Sequence, residues 1–505
     1  MGDRLASLTR YAAAACLGCV AFMPSTAHAQ ANFHSSPLAG RSSLLGGSGV
    51  ALGVDGAAPI LNPANLSRIG DSSLAFSSRL FRHSWSKMSA LHQPAAPDGA
   101  FAGATVDDPS LSRTQLSALP DTTCYFFGPS GGEERAKLRV GLCLAKTEAL
   151  DLSVEAVNSR FDTPAGTLRQ TRALAIDWSN RAFGPSVGFP LSEDVSVGFS
   201  LNVLRARLKE HSSVSSLLDS GAGVITSGNY SSYGQSWDLA VQAGITYFAD
   251  PHWTLGLSVR SPTLHLFDGY DAGFGSANSG GDGVLETQSG SFVVTPPLRF
   301  NAGVGFELGW LRAEVDLFLH TPRSRYVEID AHGERSQITG AAANSSGFSD
   351  QRHEDSRTML NAAVGVETFL NRDLSLLFGF ATDRSAVPQL TAANVDQRIF
   401  HSSMDYLRAS AGFASYTGYG DLVFGVRYDH GSGSLGVLSG NQDVARWGVS
   451  EWQEDAVVLV FAGRVDLHTI RSTAGKIADA VDGQAKPPPR TAKPQEPLRK
   501  PDKPR

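Results

Sequence analysis

Apolar and polar residues alternate with a period of two along most of the chain from residue 72 onward. One such run is WDLAVQAGITY (237–247), whose apolar row begins at Trp237 and ends at Tyr247. About ten extended residues, tilted by about 40°, span roughly 25 Å, which is the height of the apolar band of an outer-membrane barrel. Trp and Tyr are the residues expected at its two interfaces. The pattern therefore predicts strands that cross a membrane.

Fourteen runs of this kind follow one another, near residues 72–82, 116–127, 137–148, 167–190, 194–208, 235–248, 252–266, 290–307, 310–321, 358–370, 373–384, 405–416, 420–431 and 454–467. Their connections alternate between tight turns, such as 190–194, and long segments, such as 209–234 and 322–357. Outer-membrane barrels have short periplasmic turns, long outer loops and an even strand number, which places both chain ends in the periplasm. In the fifth run, the apolar residues switch to the other set of alternate positions near Leu204. This change of phase predicts a bulge or the membrane edge.

The fold class predicted over residues 72–467 is all-β, a transmembrane antiparallel β-barrel of about 14 strands. A soluble β-sandwich also alternates, but its strands are usually only five or six residues long. The polar face of these runs also carries charges deep in the strands, as the wall of a lumen would. The expected location is the outer membrane of a Gram-negative bacterium.

Both ends of the chain read as segments outside the barrel. Residues 1–29 have a basic start, an apolar stretch over 11–22 and an Ala-x-Ala cleavage site at 27–29, which together predict a secretory signal peptide. Residues 468–505 end in a tail rich in Pro, Lys and Arg and are predicted to be disordered and periplasmic. This tail is either simply solvated or a tether to peptidoglycan.

Composition excludes several classes of function. The net charge of −6 argues against a nucleic-acid partner. No His is placed with a Ser and a carboxylate in a recognisable catalytic array, and no Cys/His cluster has metal-ligand spacing. We therefore expect no enzyme, no cofactor and no metal site, and a monomeric protein.

Two cysteines remain after the signal peptide, Cys124 and Cys143, on either side of the turn sequence GPSGGEERAK. If this turn closes a hairpin, the two side chains lie opposite each other. In an oxidising compartment this placement predicts a cross-strand disulfide. The alternative is a pair of reduced, packed thiols.

Four stretches resemble one family. They are the small-residue segment that ends in Asn62, Pro63 and Ala64 before the first strand, SEDVSVGFSLNVLRARLKE (192–210), GQSWDLAVQAGITYFADPHWTLGLSVRSP (234–262) and QRHE (351–354) with the strand after it. In this order and spacing they resemble the outer-membrane transporters of hydrophobic compounds, of the long-chain fatty acid and toluene type. The resemblance implies a barrel whose lumen is plugged by an N-terminal hatch, here residues 30–71.

The resemblance also implies transport by facilitated diffusion. Ligand is captured at the outer end, moves into an apolar lumenal pocket and leaves sideways where strand 3 is kinked. Gly141 is the candidate for that kink, and the alternative is an ordinary strand glycine. The implied partners are a hydrophobic small molecule, outer-membrane lipid with lipopolysaccharide, and the barrel-assembly machinery. The competing function is a general porin or a structural barrel.

The same resemblance names candidate ligand-binding residues. Arg352 stands where the fatty-acid branch has a basic residue near the bound carboxylate, and the alternative is a solvated loop arginine. Lys209 and His211 lie just past strand 5, where that branch has a second basic residue. No arginine occupies this place, so the ligand remains open between a fatty acid and a neutral hydrocarbon. Charged residues on the inward faces are predicted to line the lumen and to pair hatch with wall; they include Arg260, Arg299, Glu367 and Arg427.

Overall fold

The structure is a computed structural model, and it describes Asn32 and residues 40–70, 72–88, 110–117, 119–127, 138–163, 166–219, 224–340, 342–387, 390–391, 402–417, 419–439 and 446–467. The predicted signal peptide and C-terminal tail lie outside the described residues. Among the described residues, no helix is long and apolar enough to cross a membrane.

The described wall consists of one antiparallel sheet of nineteen strand segments. They are β1 (Ser73–Met88), β2 (Ser110–Leu116), β3 (Thr122–Phe127), β4 (Arg139–Thr163), β5 (Gly166–Pro190), β6 (Val195–Asp219), β7 (Val224–Phe248), β8 (Trp253–Arg260), β9 (Leu264–Asn278), β10 (Gly283–Phe292), β11 (Arg299–Leu308), β12 (Leu311–His320), β13 (Arg323–Thr339), β14 (Ala342–Ser356), β15 (Met359–Phe369), β16 (Leu374–Asp383), β17 (Ser402–Thr417), β18 (Gly420–Ser439) and β19 (Arg446–Asp466).

The sheet closes on itself, because β1 pairs with β19 from Ser73↔Asp466 to Met88↔Trp452. Five consecutive pairs of segments each form one interrupted wall strand: β2 with β3, β8 with β9, β10 with β11, β12 with β13 and β14 with β15. The wall therefore has fourteen strands, and the predicted closed antiparallel barrel is confirmed.

Proline accounts for most of the interruptions. It occurs in four of the five breaks, as Pro120, Pro262, Pro296 with Pro297, and Pro322. A proline has no backbone N–H to donate to the ladder, so a strand ends or kinks beside it. The predicted second strand, 116–127, is accordingly not continuous but divides at Pro120.

Burial is inverted relative to a soluble protein. Outward apolar side chains are exposed: the exposed fraction is 54% for Leu257 and 50% for Phe183. Inward polar side chains are buried, and that of Asn301 is only 1% exposed. Exposed apolar rows are stable only against lipid, and a buried polar lining is what the interior of a membrane barrel carries. The alternation in the sequence thus assigns the apolar residues to the outer face of the wall.

Several strands extend well beyond the predicted ends. β6 and β7 remain paired up to Leu218↔Val224, so most of the predicted loop 209–234 is a tall hairpin. β13 and β14 similarly occupy most of the predicted loop 322–357. The inner faces of these extensions mix polar residues with apolar ones such as Ile329 and Ala331, so they lack the regular alternation by which a strand is recognised. The ladder still satisfies their backbone groups. At Leu204 the pairing with β5 and β7 is regular, which rules out a bulge there.

Cys124 and Cys143 are paired directly opposite each other on β3 and β4 and are joined by a disulfide. Both face the interior, with 0% and 5% exposure. The disulfide therefore joins the second and third wall strands on the inner side of the barrel.

The exposure of apolar residues on the outer face predicts that a charge is destabilising within the apolar band and tolerated beyond it. We expect Leu257→Arg, near the middle of the apolar band, to lower the free energy of unfolding in lipid vesicles by about 2–4 kcal/mol. Ser231→Arg, on the outward face of the tall β7 extension, should cost at most about 1 kcal/mol. Denaturant unfolding followed by tryptophan fluorescence measures both, and equal losses for the two variants would contradict a lipid-facing position for Leu257.

Candidate functional site inside the barrel

Residues 40–70, here called the N-terminal segment, lie against the inner surface of the barrel. They form a 3-10 helix at Gly40–Leu44, a short α-helix, α1, at Ala58–Leu61, and a second 3-10 helix at Pro63–Arg68. The helices contact wall strands on opposite sides of the barrel, among them β5, β6 and β7 on one side and β16 to β19 on the other. Leu44, Leu61 and Leu66 are completely buried.

Glycines in the wall allow this close approach. A Cβ atom at Gly198 would lie 2.3 Å from the Pro63 carbonyl carbon, and one at Gly256 would lie 2.1 Å from the Val50 oxygen. At Gly379 it would lie 2.0 Å from the Gly46 nitrogen. No side chain larger than hydrogen fits at such distances, so the wall is shaped for backbone-to-backbone contact with the segment.

Asn62 is the main polar anchor of the Asn-Pro-Ala motif. Its side-chain N–H groups donate to Val50 O (2.8 Å), to Ile245 O (3.1 Å) and to Thr246 Oγ1 (3.1 Å), and its Oδ1 accepts from Ala64 N at 3.2 Å. It therefore caps the second 3-10 helix and binds β7 at the same time, and Pro63 occupies the first helical position, where no N–H is needed. An asparagine supplies both donors and an acceptor at a site that is 0% exposed.

Two wall carboxylates bind four consecutive backbone N–H groups of the segment. Asp316 Oδ2 accepts from Gly49 (2.7 Å) and Val50 (3.0 Å), and Glu314 Oε1 accepts from Ala51 (2.6 Å) and Leu52 (3.1 Å). These residues of β12 are separated by two positions and so point into the same lumen. Irregular backbone buried in the barrel has its donors satisfied by charge-assisted bonds.

Ion pairs surround these contacts. Arg41 of the segment pairs with Glu367 of β15, and Arg68 pairs with Glu307 of β11 at 3.0 Å. Within the segment, Asp55 accepts hydrogen bonds from Ser42 N (3.1 Å) and Ala57 N (2.9 Å). Burial raises the pKa of Asp55, and these two backbone hydrogen bonds partly oppose the shift.

The other predicted lumenal charges differ in their contacts. Arg299 donates to Ile60 O of α1 at 3.2 Å, so it joins wall and segment as Glu367 does. Arg260 pairs in register with Arg299 and is buried. Arg427 instead forms an ion pair with Asp429 (2.7 Å) on its own strand. The predicted pairing of hatch with wall thus holds for Arg299 and Glu367, whereas the ion pair of Arg427 stays within the wall.

A second buried group consists of apolar side chains on inward faces. This lumenal apolar cluster comprises Met88, Ile176, Trp178, Ala206, Leu208, Tyr270, Phe292, Val294, Ile329, Ala331, Met404, Tyr406, Leu435 and Trp452. Its members come from strands around most of the barrel. Trp178 and Phe292 meet edge to face, with ring centroids 6.1 Å apart.

Arg352 lies beside this cluster on β14 and is only 8% exposed, so it is not a solvated loop arginine. Its Nη2 forms an ion pair with Asp350 at 2.9 Å and donates to Tyr230 Oη at 3.4 Å. Tyr230 Oη is 3.0 Å from Tyr270 Oη, which belongs to the cluster. Among the described residues, Arg352 Nη1 has no partner. A hydrogen-bond acceptor on a bound molecule can accept from Arg352 Nη1.

Lys209 and His211 do not join Arg352. Both are exposed on the outward face of β6, whereas the buried residue between them is Glu210, which accepts from Ser232 Oγ at 2.6 Å. The period of two separates these neighbours onto opposite faces. Counting inward positions along β6 would have identified Glu210, and its neighbour Tyr230 is likewise a site residue that the motifs did not indicate.

The wall is incomplete between its second and third strands. β3 pairs with β4 up to Thr122↔Ala145, but in the described part of the chain β4 from Lys146 onward pairs only with β5, and β2 only with β1. At the lower end of this gap, Lys146 N donates to Asp121 O at 2.7 Å, and Asp121 pairs with Arg79. Gly141 lies below the gap in an unbroken ladder, paired with Phe126 and Ser186.

The close fit between wall glycines and segment predicts the effect of adding one methyl group. Gly198→Ala should displace the backbone at Pro63, because overpacking costs about 1–3 kcal/mol, and should make the barrel permeable to small sugars. Gly269→Ala is the matched control, since nothing lies within 4 Å of a Cβ there. Liposome swelling measures both variants, and a Gly198→Ala barrel as tight as the control would contradict the fit.

Comparison with known proteins found similarity at the level of structure alone. No protein-family model matches the chain, and no curated protein matches it. The CymD monoaromatic hydrocarbon channel is 12% identical with a TM-score of 0.51, over 86% of this chain and 98% of that one. A Pseudomonas aeruginosa FadL homologue is 11% identical with a TM-score of 0.51, over 88% and 100%. The Pseudomonas putida toluene transporter TodX is 12% identical with a TM-score of 0.50, over 86% and 99%. The chain therefore shares the fold of these channels and transporters.

Proposed function

We propose that the protein transports hydrophobic small molecules across the outer membrane by facilitated diffusion. The observation that carries this proposal is the lumenal apolar cluster. The interior of an open porin is polar because it holds water. Fourteen buried apolar side chains at one level of the lumen instead offer an environment in which an apolar ligand can replace side-chain contacts. Met88 and Met404, which are flexible and polarisable, suit such adjustment.

The N-terminal segment serves as the floor of this path. It fills the barrel at the end with the short turns, where both ends of the wall also lie, and its backbone is bound to the wall on several sides. By the rule that short turns are periplasmic, this end faces the periplasm and the tall hairpins face outward. A hydrophobic ligand thus enters from the outer end, and the segment acts as a hatch that keeps the lumen closed to water.

The ligand leaves sideways through the gap between β2 and β4. An apolar molecule that continued downward would have to enter water, whereas a lateral exit delivers it to lipid. The lower end of the gap, where Lys146 N donates to Asp121 O, lies at the upper edge of the apolar band, so a ligand that leaves there meets lipid. This position replaces Gly141 as the candidate for the exit.

The ligand has an apolar body and carries one hydrogen-bond acceptor. Among the described residues, three buried donors at the cluster have no partner: Arg352 Nη1, Trp178 Nε1 and Trp452 Nε1. A carboxylate or a hydroxyl on the ligand would give at least one of these donors a partner, which favours a fatty acid or an oxygenated hydrocarbon over a bare one. Structures that share the fold include a monoaromatic hydrocarbon channel and a toluene transporter, which supports an apolar body of modest size.

Filling the cluster tests transport itself. Ala331 is completely buried there. Ala331→Trp should weaken the binding of ligand in the cluster by about 1–3 kcal/mol, which lowers uptake roughly 5- to 150-fold. Ala409→Trp, on the lipid-facing side of β17, should leave uptake unchanged. Cells without their own transporter are assayed with labelled oleate and toluene, and heat-modifiable gel mobility verifies folding. Normal uptake of both compounds by a folded Ala331→Trp protein would contradict the proposal.

Arg352→Gln separates the two ligand classes. Loss of a charge-assisted hydrogen bond worth about 1.5–3 kcal/mol should reduce oleate uptake roughly 10- to 150-fold and leave toluene uptake nearly unchanged. Arg325→Gln, an exposed arginine on β13, is the control. Equal oleate uptake by Arg352→Gln and the control would remove the carboxylate role of Arg352, without affecting the role of the cluster.

A further inference from the structure

The outward face of β4, β5, β6 and β7 changes character at one row of paired residues. The row Leu144, Phe183, Val203 and Leu239 is apolar and paired in register across all four strands. The next outward row is Lys146, Arg181, Arg205 and Trp237, again in register. The apolar band thus ends in a straight line, and three of the four residues beyond it are basic.

The basic residues continue along β6 beyond this line. Arg207, Lys209 and His211 follow Arg205 on the same outward face, at alternate positions. Together, Lys146, Arg181, Arg205, Arg207, Lys209 and His211 form what we call the basic patch. Among the described side chains of this part of the face, Asp177 is an acid, 3.9 Å from Arg207. Asp121, which pairs with Arg79, is also close to Lys146, so five permanent cations meet two carboxylates, one of them already paired.

The outer face of β18 and β19 carries no such concentration of charge among its described residues. On β18 and β19 the outward residues that follow the apolar rows are His430 and Asp455, which contact each other at 2.7 Å. Tyr428 also donates to Asp455 at 2.5 Å. The outer face of β18 and β19 is thus balanced in charge at this height, and the basic patch is not repeated there.

Arg205 of the patch is held in place by its neighbours. The Arg205 guanidinium lies over the Trp237 ring, 5.2 Å from its centroid, and donates to Gln235 Oε1 at 2.8 Å. The Nε atoms of Arg205 and Arg207 are buried, whereas the Arg207 side chain as a whole is 34% exposed. Planar, oriented guanidinium groups are well suited to phosphate, and the stacked aromatic ring reduces the entropy lost on binding.

We propose that the basic patch binds the phosphate groups of lipopolysaccharide in the outer leaflet. The acyl chains would lie along the apolar row at Leu144 and Phe183, and the phosphates would meet the row of Lys146, Arg181 and Arg205 directly above it. This inference rests on the orientation given by the proposed function, in which the tall hairpins face outward. The phase change near Leu204 in the sequence is then the membrane edge.

Removal of two charges tests the assignment. Bisphosphorylated lipid A is titrated against the purified full-length protein in detergent and counted by native mass spectrometry. Arg181→Gln with Arg205→Gln should weaken binding about 30-fold, from about 1 kcal/mol for each basic residue at a membrane surface. The matched control is Arg325→Gln with Arg384→Gln, two exposed arginines on β13 and directly after β16, which should bind as the unaltered protein does.

Three further arms identify the ligand. Dephosphorylated lipid A should bind the unaltered protein as weakly as bisphosphorylated lipid A binds the double variant, and inorganic phosphate should not displace the lipid. Equal affinity of the variant and the control, equal binding of dephosphorylated lipid A, or displacement by phosphate alone would each overturn the proposal.

Oleate uptake by the double variant should be retained. A failure of lipid binding with intact uptake thus refutes the patch alone, whereas absence of uptake by the unaltered protein refutes the transport function.

Discussion

The structure depends on one constraint: an irregular stretch of backbone inside a membrane barrel must find a partner for every polar group it buries. Non-helical chain at membrane depth is tolerated only where protein surrounds it. Here Glu314 and Asp316 bind the N–H groups of residues 49–52, and Asn62 binds both the segment and β7. These bonds require close approach, so glycines line the wall at the contacts. The N-terminal segment and the wall are therefore complementary: the wall glycines and carboxylates match the backbone of the segment.

The sequence predicted the wall far better than the site. A period of two is set by strand geometry, and membrane thickness fixes the length of each apolar row, so fourteen strands could be located from the pattern. The tall extensions of β6 and β7 lack the alternation because polar residues such as Glu210 and Ser232 occupy their inner face as well. The break at Pro120 was visible as a proline within a predicted strand, and it marks the gap in the wall more directly than Gly141 does.

The site itself depends on which face each residue takes. The QRHE motif predicts a site role for Arg352, and the structure buries this residue beside the lumenal apolar cluster. The position just past strand 5 predicts the same role for Lys209 and His211, but alternation turns them outward and Glu210 inward. Contacts between distant strands, such as Arg352 with Tyr230, cannot be read from spacing because they depend on the closure of the barrel.

We propose that a closed floor and a gap between the described parts of β2 and β4 let this barrel pass apolar molecules without passing water. The most direct test reconstitutes the unaltered protein in vesicles with a lipopolysaccharide outer leaflet and records potassium chloride leakage and labelled oleate entry in the same sample. The account predicts that oleate enters faster than in protein-free vesicles while the salt gradient is retained. Rapid loss of the salt gradient, with oleate entry no faster than without protein, would contradict it.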